Sequence, residues 1–451
     1  MIAVVHDERI PTSRILMYSA PMLGVFAANT LLNFYFLKFS TDVLLVAPAL
    51  IGTVLLAARV WDAVTDPAAG WLSDHTRSRL GRRRPWLLGS ALPFGLSVYM
   101  LWSPPESLSS GQLSVWVGLA IFLFYTAYTA FRVPHMALGA ELSRGYHDRT
   151  RVFGISQAFE SLGMFVAAGA LFFLENAEAP REFARMLSIG IGVFACVLIV
   201  LASLRLRERA EFQGRSGKSP MGTFRDVLKN PHALMLMGAI FMEQLGFAAL
   251  VALLPYISDY VILTPGDTAI YLFGAVGSLL LSIPVWIAIS RRIGKKQVWL
   301  WSIAAKIAIF AAMFTLGEGD GLGMAILSAL FGAMQGCGSV VAPSLKADVV
   351  DWDEARTGER KEGAYFATWN FMQKAAAGVA LWAIGLMLSW TGFVPNEPQS
   401  DATIQGMRFL VAGAPLLLHV VAFALVAKFG LSETEHRAAL AQTRSRPQPG
   451  R

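Results

Sequence analysis

The chain contains a series of long apolar stretches, and they limit the folds it can adopt. About twelve of them are long enough to cross the ~30 Å hydrocarbon core of a bilayer, which takes ~20 helical residues. Charged residues make up 15% of the 451 residues, against about 25% in ordinary soluble domains. A soluble chain of this length needs a larger charged surface, so we predict an all-α, multi-pass membrane protein. The stretches lie near residues 15–43, 48–73, 86–103, 112–140, 152–174, 183–204, 231–258, 267–290, 297–316, 321–345, 364–391 and 405–430.

Basic residues are distributed very unevenly between the connections. One set of alternating segments, which includes both termini, carries about 29 Lys and Arg, and the other set carries one, Arg181. Cytoplasmic loops hold the excess of Lys and Arg in membrane proteins. We therefore predict cytoplasmic termini in the cytoplasmic (inner) membrane. The net charge of +7 is then a topology signal, and we expect no nucleic-acid partner and a monomer in the lipid bilayer.

A weak internal repeat divides the chain. The connection after the second stretch contains Arg79-Leu80-Gly81-Arg82, and the connection after the eighth contains Arg292-Ile293-Gly294-Lys295. Two parallel halves of six spans are typical of transporters that work by alternating access. We predict an N-terminal half over 1–204, a cytoplasmic linker over 205–230, a C-terminal half over 231–430 and a cytoplasmic tail over 431–451.

The second stretch contains the most informative charges. Asp62 and Asp66 are four residues apart and share one helix face, and Arg59 precedes them by one turn. Ionisable groups at membrane depth are costly and mark functional sites. Two carboxylates, with the Thr65 hydroxyl between them, suit Na⁺, Li⁺ or H⁺ because hard cations prefer oxygen ligands. The alternative is a structural salt bridge with Arg59. Pro67 loosens the helix there.

Other polar residues recur inside the apolar stretches. Arg132 and Lys374 come from opposite halves, so each could line a central cavity or pair with Glu160 or Glu243 to close a gate. Tyr128 and Trp369 could stack on a ligand, and Lys306 shows no evident partner in the sequence. The candidates by stretch are Tyr128, Thr129 and Arg132 in the fourth, Gln157 and Glu160 in the fifth, Glu243 in the seventh, Lys306 in the ninth, and Trp369, Gln373 and Lys374 in the eleventh.

Motifs of other protein classes are missing from the sequence. It contains no GxxxxGK[ST] phosphate loop, HExxH or GxSxG. The acidic run at Asp348, Asp351, Asp353 and Glu354 lacks the ligand order of a calcium loop. We therefore expect neither an ATP-driven pump nor an enzyme, and no cofactor beyond a coupling ion.

Two segments make the chain similar to a known family. Residues 61–86 read WDAVTDPAAGWLSDHTRSRLGRRRPW, and residues 346–374 read KADVVDWDEARTGERKEGAYFATWNFMQK. Both resemble the glycoside–pentoside–hexuronide:cation symporters, a branch of the major facilitator superfamily, and the likeness extends over essentially the whole chain. The resemblance implies a major facilitator fold of twelve transmembrane helices in two pseudo-symmetric six-helix halves with a central cavity.

The resemblance also implies site residues. It places the cation at Asp62 and Asp66, with Thr129 as a further ligand, and makes Lys374 a functional lysine near cation and substrate. Thr65 replaces an asparagine of the best-known member, which bears on the choice between Na⁺ and H⁺. The aspartates that bind sugar in that member are replaced here by Phe26 and Arg132, and an arginine suits an anionic group.

These observations lead to one expected function and its alternatives. We expect cation-coupled symport of a sugar, glycoside or uronide by alternating access. The substrate residues are expected to be Tyr128, Arg132, Gln157, Trp369, Gln373 and Lys374, with Arg59, Glu160 and Glu243 in charge pairs or gates. A lysolipid or other amphiphile is the alternative substrate, because animal relatives that carry lysophospholipids also lack the sugar aspartates. Other solutes and a non-transporting sensor remain open.

Overall fold

The fold is described from a computed structural model, which covers residues 10–142, 146–206, 208, 227, 229–357 and 361–430. Within these residues the chain forms twelve long helices. In chain order they are α1 Thr12–Phe34, α2 Pro48–His75, α3 Arg84–Trp102, α4 Ser110–Glu141, α5 Tyr146–Glu175, α6 Pro180–Arg205, α7 Pro231–Ile262, α8 Thr268–Ile293, α9 Lys295–Phe314, α10 Gly321–Thr357, α11 Glu362–Trp390 and α12 Asp401–Lys428.

Eleven of these helices are long and apolar enough to cross a bilayer. The twelfth, α3, has 19 residues and is not among those eleven. Helix starts follow local chemistry. Prolines stand in the first turn of α2, α3, α6 and α7, where a missing N–H costs nothing. Ser109 and Gln112 form a capping box at the start of α4.

Two predicted spans differ from the helices found. The stretch 15–43 is not one helix, because α1 ends at Phe34, Tyr35 has φ −126°, and a π-helical turn follows over Phe39–Val43. The stretch 321–345 continues as α10 to Thr357, through the segment predicted as a loop. At 1.5 Å per residue α10 is roughly 55 Å long, well beyond the ~30 Å bilayer core. Its acidic run therefore lies on helical turns outside the hydrocarbon.

The chain separates into two compact units, Met1–Gly217 and Lys218–Arg451. In the first, α1 packs on α5 and α6, α3 packs on α4 and α6, and α2 packs on α4. In the second, α7 packs on α11 and α12, α9 packs on α10 and α12, and α8 packs on α10. The same five pairings recur when each helix number is raised by six. Most of the predicted linker 205–230 and the whole tail 431–451 lie outside the described residues, so those bounds stay predictions.

The repeated glycines have the same structural role in both units. Gly81 and Gly294 have positive φ, 106° and 87°, a conformation that favours glycine, just before α3 and α9. Arg84 then donates to the carbonyls of Ser203 and Leu204 at the end of α6. Lys296 likewise donates to the carbonyls of Ala427 and Phe429 at the end of α12. The weak sequence repeat therefore marks two equivalent basic turns.

Candidate functional site

The two carboxylates of α2 meet one hydroxyl of α4. The Thr129 hydroxyl lies 2.6 Å from Oδ1 of Asp62 and 3.0 Å from Oδ1 of Asp66. Asp62 and Thr129 are buried, with 0% and 2% exposure, and Asp66 is half-buried. The i, i+4 spacing supplies the shared helix face, and the packing of α2 on α4 supplies the third oxygen.

A single hydroxyl has one hydrogen to donate, so it satisfies one of the two carboxylates at a time. Arg59 reaches Asp62 at 3.9 Å, which is an ion pair too long for a hydrogen bond. Its guanidinium also donates to the Asn33 side chain and lies 4.7 Å from the centre of the Tyr125 ring. Two ionised carboxylates and this one guanidinium carry a formal charge of −1 between them. One monovalent cation or one proton would balance it.

Further oxygens lie on the same turn of α2. The Thr65 hydroxyl donates to the Asp62 carbonyl at 3.2 Å, so its proton is used within the helix and its oxygen remains an acceptor. Pro67 has no N–H, which removes the helical donor for the Ala63 carbonyl. No group of three or more His, Cys, Asp or Glu side chains among the described residues could hold a metal ion. Carboxylate and hydroxyl oxygens are ligands that hard cations prefer.

The substrate candidates of the first unit lie on α4 and α5. Arg132 donates to Glu160 at 2.6 Å and lies 5.0 Å from the Phe26 ring centre. Gln157 is exposed one turn before Glu160. Tyr128 is half-buried and stacks on Phe124, with 6.1 Å between ring centres. The structure places Arg132 in a charge pair with Glu160, one of the two interpretations that the sequence left open.

The substrate candidates of the second unit lie on α11. Trp369 is 0% exposed and belongs to the apolar core formed with Trp299 and Tyr365. This position gives Trp369 a packing role in the described state, rather than the open ring face that stacking on a ligand needs. Gln373 and Lys374 follow on the same helix and are half-buried. Their roles toward a substrate stay predictions.

A buried charge cluster in the second unit was not foreseen as a group. Lys306 on α9, 1% exposed, donates to Glu243 at 2.9 Å and to Gln335 at 2.8 Å. The Trp299 indole N–H donates to the other Glu243 oxygen at 2.9 Å. The expectation that Lys306 lacks a partner is wrong, because Glu243 comes from a helix far away in sequence. Both of these partners of Glu243 lie in the same unit as Glu243 itself.

Comparisons with known proteins agree with this architecture. A family model described as MFS/sugar transport protein matches residues 17–433. An isoprimeverose transporter of Lactiplantibacillus pentosus is 25% identical, over 92% of this chain and 88% of that protein. A putative glycoside/cation symporter of Escherichia coli is also 25% identical, over 89% and 88%. The solved D-xylose-proton symporter shares the fold, with a TM-score of 0.64 and 14% identity over 94% of this chain and 97% of that one.

Proposed function

The chain belongs to the family of MFS/sugar transport proteins, multi-pass membrane transporters rather than enzymes, and on that premise we propose cation-coupled symport of a sugar, glycoside or uronide. The observation that carries the proposal is the convergence of Asp62 and Asp66 on the Thr129 hydroxyl. The family name and the sugar names of two relatives support a carbohydrate substrate. The bias of basic residues supports an inner-membrane location with cytoplasmic termini.

Coupling follows from the charge of the site. Two ionised carboxylates that share one hydroxyl donor repel each other. A bound Na⁺, Li⁺ or H⁺ removes that repulsion and stabilises the packing of α2 on α4. If this packing favours substrate binding, linkage requires that the substrate raise the affinity for the cation by the same factor. Alternating access then carries the substrate and the cation across the membrane together.

Arg132 bears on the kind of sugar. A planar guanidinium binds carboxylates with two parallel hydrogen bonds. In the described state Arg132 is paired with Glu160, so a uronide carboxylate would replace an existing partner instead of meeting a free cation. A neutral glycoside would leave the pair intact. We keep lysolipids and other amphiphiles as the alternative substrate class.

The experiment is uptake by the purified protein in proteoliposomes. Labelled glycosides, uronides and lysolipids are offered with a Na⁺, Li⁺ or H⁺ gradient, one gradient at a time. Substrate accumulation driven by one cation is expected for the wild type, and Asp62→Asn and Asp66→Asn should abolish it while the proteins stay folded. Asp401→Asn changes an exposed acid outside the site and should leave uptake unchanged. If Asp62→Asn and Asp66→Asn both accumulate substrate to the wild-type level, the cation assignment is wrong.

A further inference from the structure

An apolar groove of about 510 Å³ lies on the first unit, outside the cation site. Residues between Pro85 and Pro93 of α3 form one side, and residues between Leu123 and Ala130 of α4 form the floor. Most of the surface that lines it is carbon. Neither Arg132 nor Glu160 contributes to it, so the groove is separate from the predicted substrate residues of this unit.

Two tryptophans join the groove to its surroundings. Trp86 lines the groove, and its indole N–H donates to the Thr76 hydroxyl at 2.8 Å. This end of the groove therefore contacts the connection before α3. Trp61 of α2 donates to Thr126 in the floor at 2.9 Å. At Gly89 an added Cβ would meet no atom within 4 Å, so there is open space above that glycine.

The length of the groove matches one leaflet of a bilayer. From Pro85 to Pro93 the helix rises roughly 12 Å at 1.5 Å per residue, and half of the ~30 Å hydrocarbon core is ~15 Å. Because α3 begins at Arg84, the groove runs inward from the loop end of the helix. Its apolar surface therefore lies where the acyl chains of that leaflet lie.

The connection that begins at Thr76, the residue bonded to Trp86 of the groove, carries several arginines. Arg82 and Arg83 are committed to Asp74 and Glu141. Arg77 and Arg79 are exposed, and within the described part of the chain they make no hydrogen bond or ion pair. Basic residues beside membrane helices attract anionic lipid headgroups with about 1 kcal/mol each.

From this combination we propose that the groove is a binding site for an anionic phospholipid of the leaflet beside the connection 76–83. One acyl chain fills the space between α3 and α4, and the phosphate is bound by Arg77 and Arg79. The lipid is a resident ligand and not a transported one. Trp61 and Thr126 belong to the same packing of α2 on α4 that holds the cation site, so the lipid also steadies that packing.

The test measures lipid binding to the full-length protein in detergent. The purified protein is titrated with dioleoyl phosphatidylglycerol, dioleoyl phosphatidylcholine or inorganic phosphate. Native mass spectrometry counts the bound lipid, and apparent Tm reports its effect. Gly89→Leu fills the groove, and Gly190→Leu is the matched control because its Cβ also meets no atom within 4 Å on α6. Arg77→Gln/Arg79→Gln removes two charges from the connection between α2 and α3.

Phosphatidylglycerol is expected to bind most tightly and to raise Tm, while inorganic phosphate alone does neither. Removing both arginines should weaken phosphatidylglycerol about thirtyfold and abolish its advantage over phosphatidylcholine, since two charges at about 1 kcal/mol each give that factor. Gly89→Leu should weaken both lipids, and Gly190→Leu neither. Wild-type binding in Gly89→Leu would overturn the groove, and an unchanged lipid preference in Arg77→Gln/Arg79→Gln would overturn the headgroup assignment.

The second basic turn supplies a further control. Arg291→Gln/Arg292→Gln removes two arginine charges from the exposed last turn of α8 in the other unit, and lipid binding at the groove should be unaffected. Net movement of the phospholipid across proteoliposomes would make it cargo and would overturn the assignment as a resident ligand. These results are independent of the Asp62 and Asp66 variants, so the lipid site and the symport proposal can fail separately.

Discussion

Replacing Lys306 by Met should destabilise the second unit strongly. The ammonium is 1% exposed and 2.9 Å from the carboxylate of Glu243. Methionine keeps the length and apolar character of the side chain, so the main loss is the charge. Glu243 is then left buried with one remaining described donor, the Trp299 N–H, and Gln335 loses the donor to its side-chain oxygen.

The magnitude follows from burial. Removing one partner of a buried ion pair costs about 3–5 kcal/mol, because the other charge stays buried and uncompensated. Lys295 and Asp348 form the matched control, since their 2.7 Å pair is as short but the lysine side chain is 41% exposed. Exposed pairs contribute about 0–1 kcal/mol. Lys306→Met should therefore cost several times more stability than Lys295→Met.

A double-mutant cycle measures the coupling directly. Unfolding of Lys306→Met, Glu243→Gln and the double variant is followed by denaturant titration in detergent micelles. The double variant should be more stable than the sum of the single losses predicts, because no unpaired charge remains. The reasoning is refuted if Lys306→Met costs no more than Lys295→Met, or if the two single losses simply add.

Three further predictions follow from single contacts. Thr129→Val should lower cation affinity roughly 10- to 100-fold in cation-dependent uptake, because it removes one oxygen of the proposed ligand set and even the loss of a group that only orients a ligand costs about that factor, whereas Thr129→Ser should keep it. Gly332→Ala would place a Cβ 2.0 Å from the Ala275 carbonyl oxygen, so α8 and α10 must separate at a cost of about 1–3 kcal/mol. Gly332→Ala should therefore lower Tm, and Gly277→Ala should not, because the Cβ added at Gly277 meets no atom within 4 Å. Glu208→Gln should lower Tm by weakening three hydrogen bonds of 2.8, 2.8 and 2.9 Å from the backbone N–H groups of residues 82–84, and a Tm equal to wild type would contradict that contribution.

The apolar stretches by themselves predicted the membrane fold, because a bilayer imposes its thickness on each span separately. Length, apolar content and loop charge are local properties, so no tertiary information was needed for twelve helices. The i, i+4 spacing of Asp62 and Asp66 is local in the same way. The resemblance added Thr129, and the structure brings its hydroxyl within 3.0 Å of both carboxylates.

Pairings between distant helices could only come from the tertiary structure. The sequence offered Arg132 and Lys374 as partners for Glu160 and Glu243. The packing joins Arg132 to Glu160, which was one of those options, and it joins Glu243 to Lys306, which was not. It also buries Trp369 in a core. Each choice depends on which helix faces are turned toward each other. The rotation of each helix about its axis is set by close contacts such as the one between Gly332 and Ala275. These two residues are 57 positions apart in the sequence.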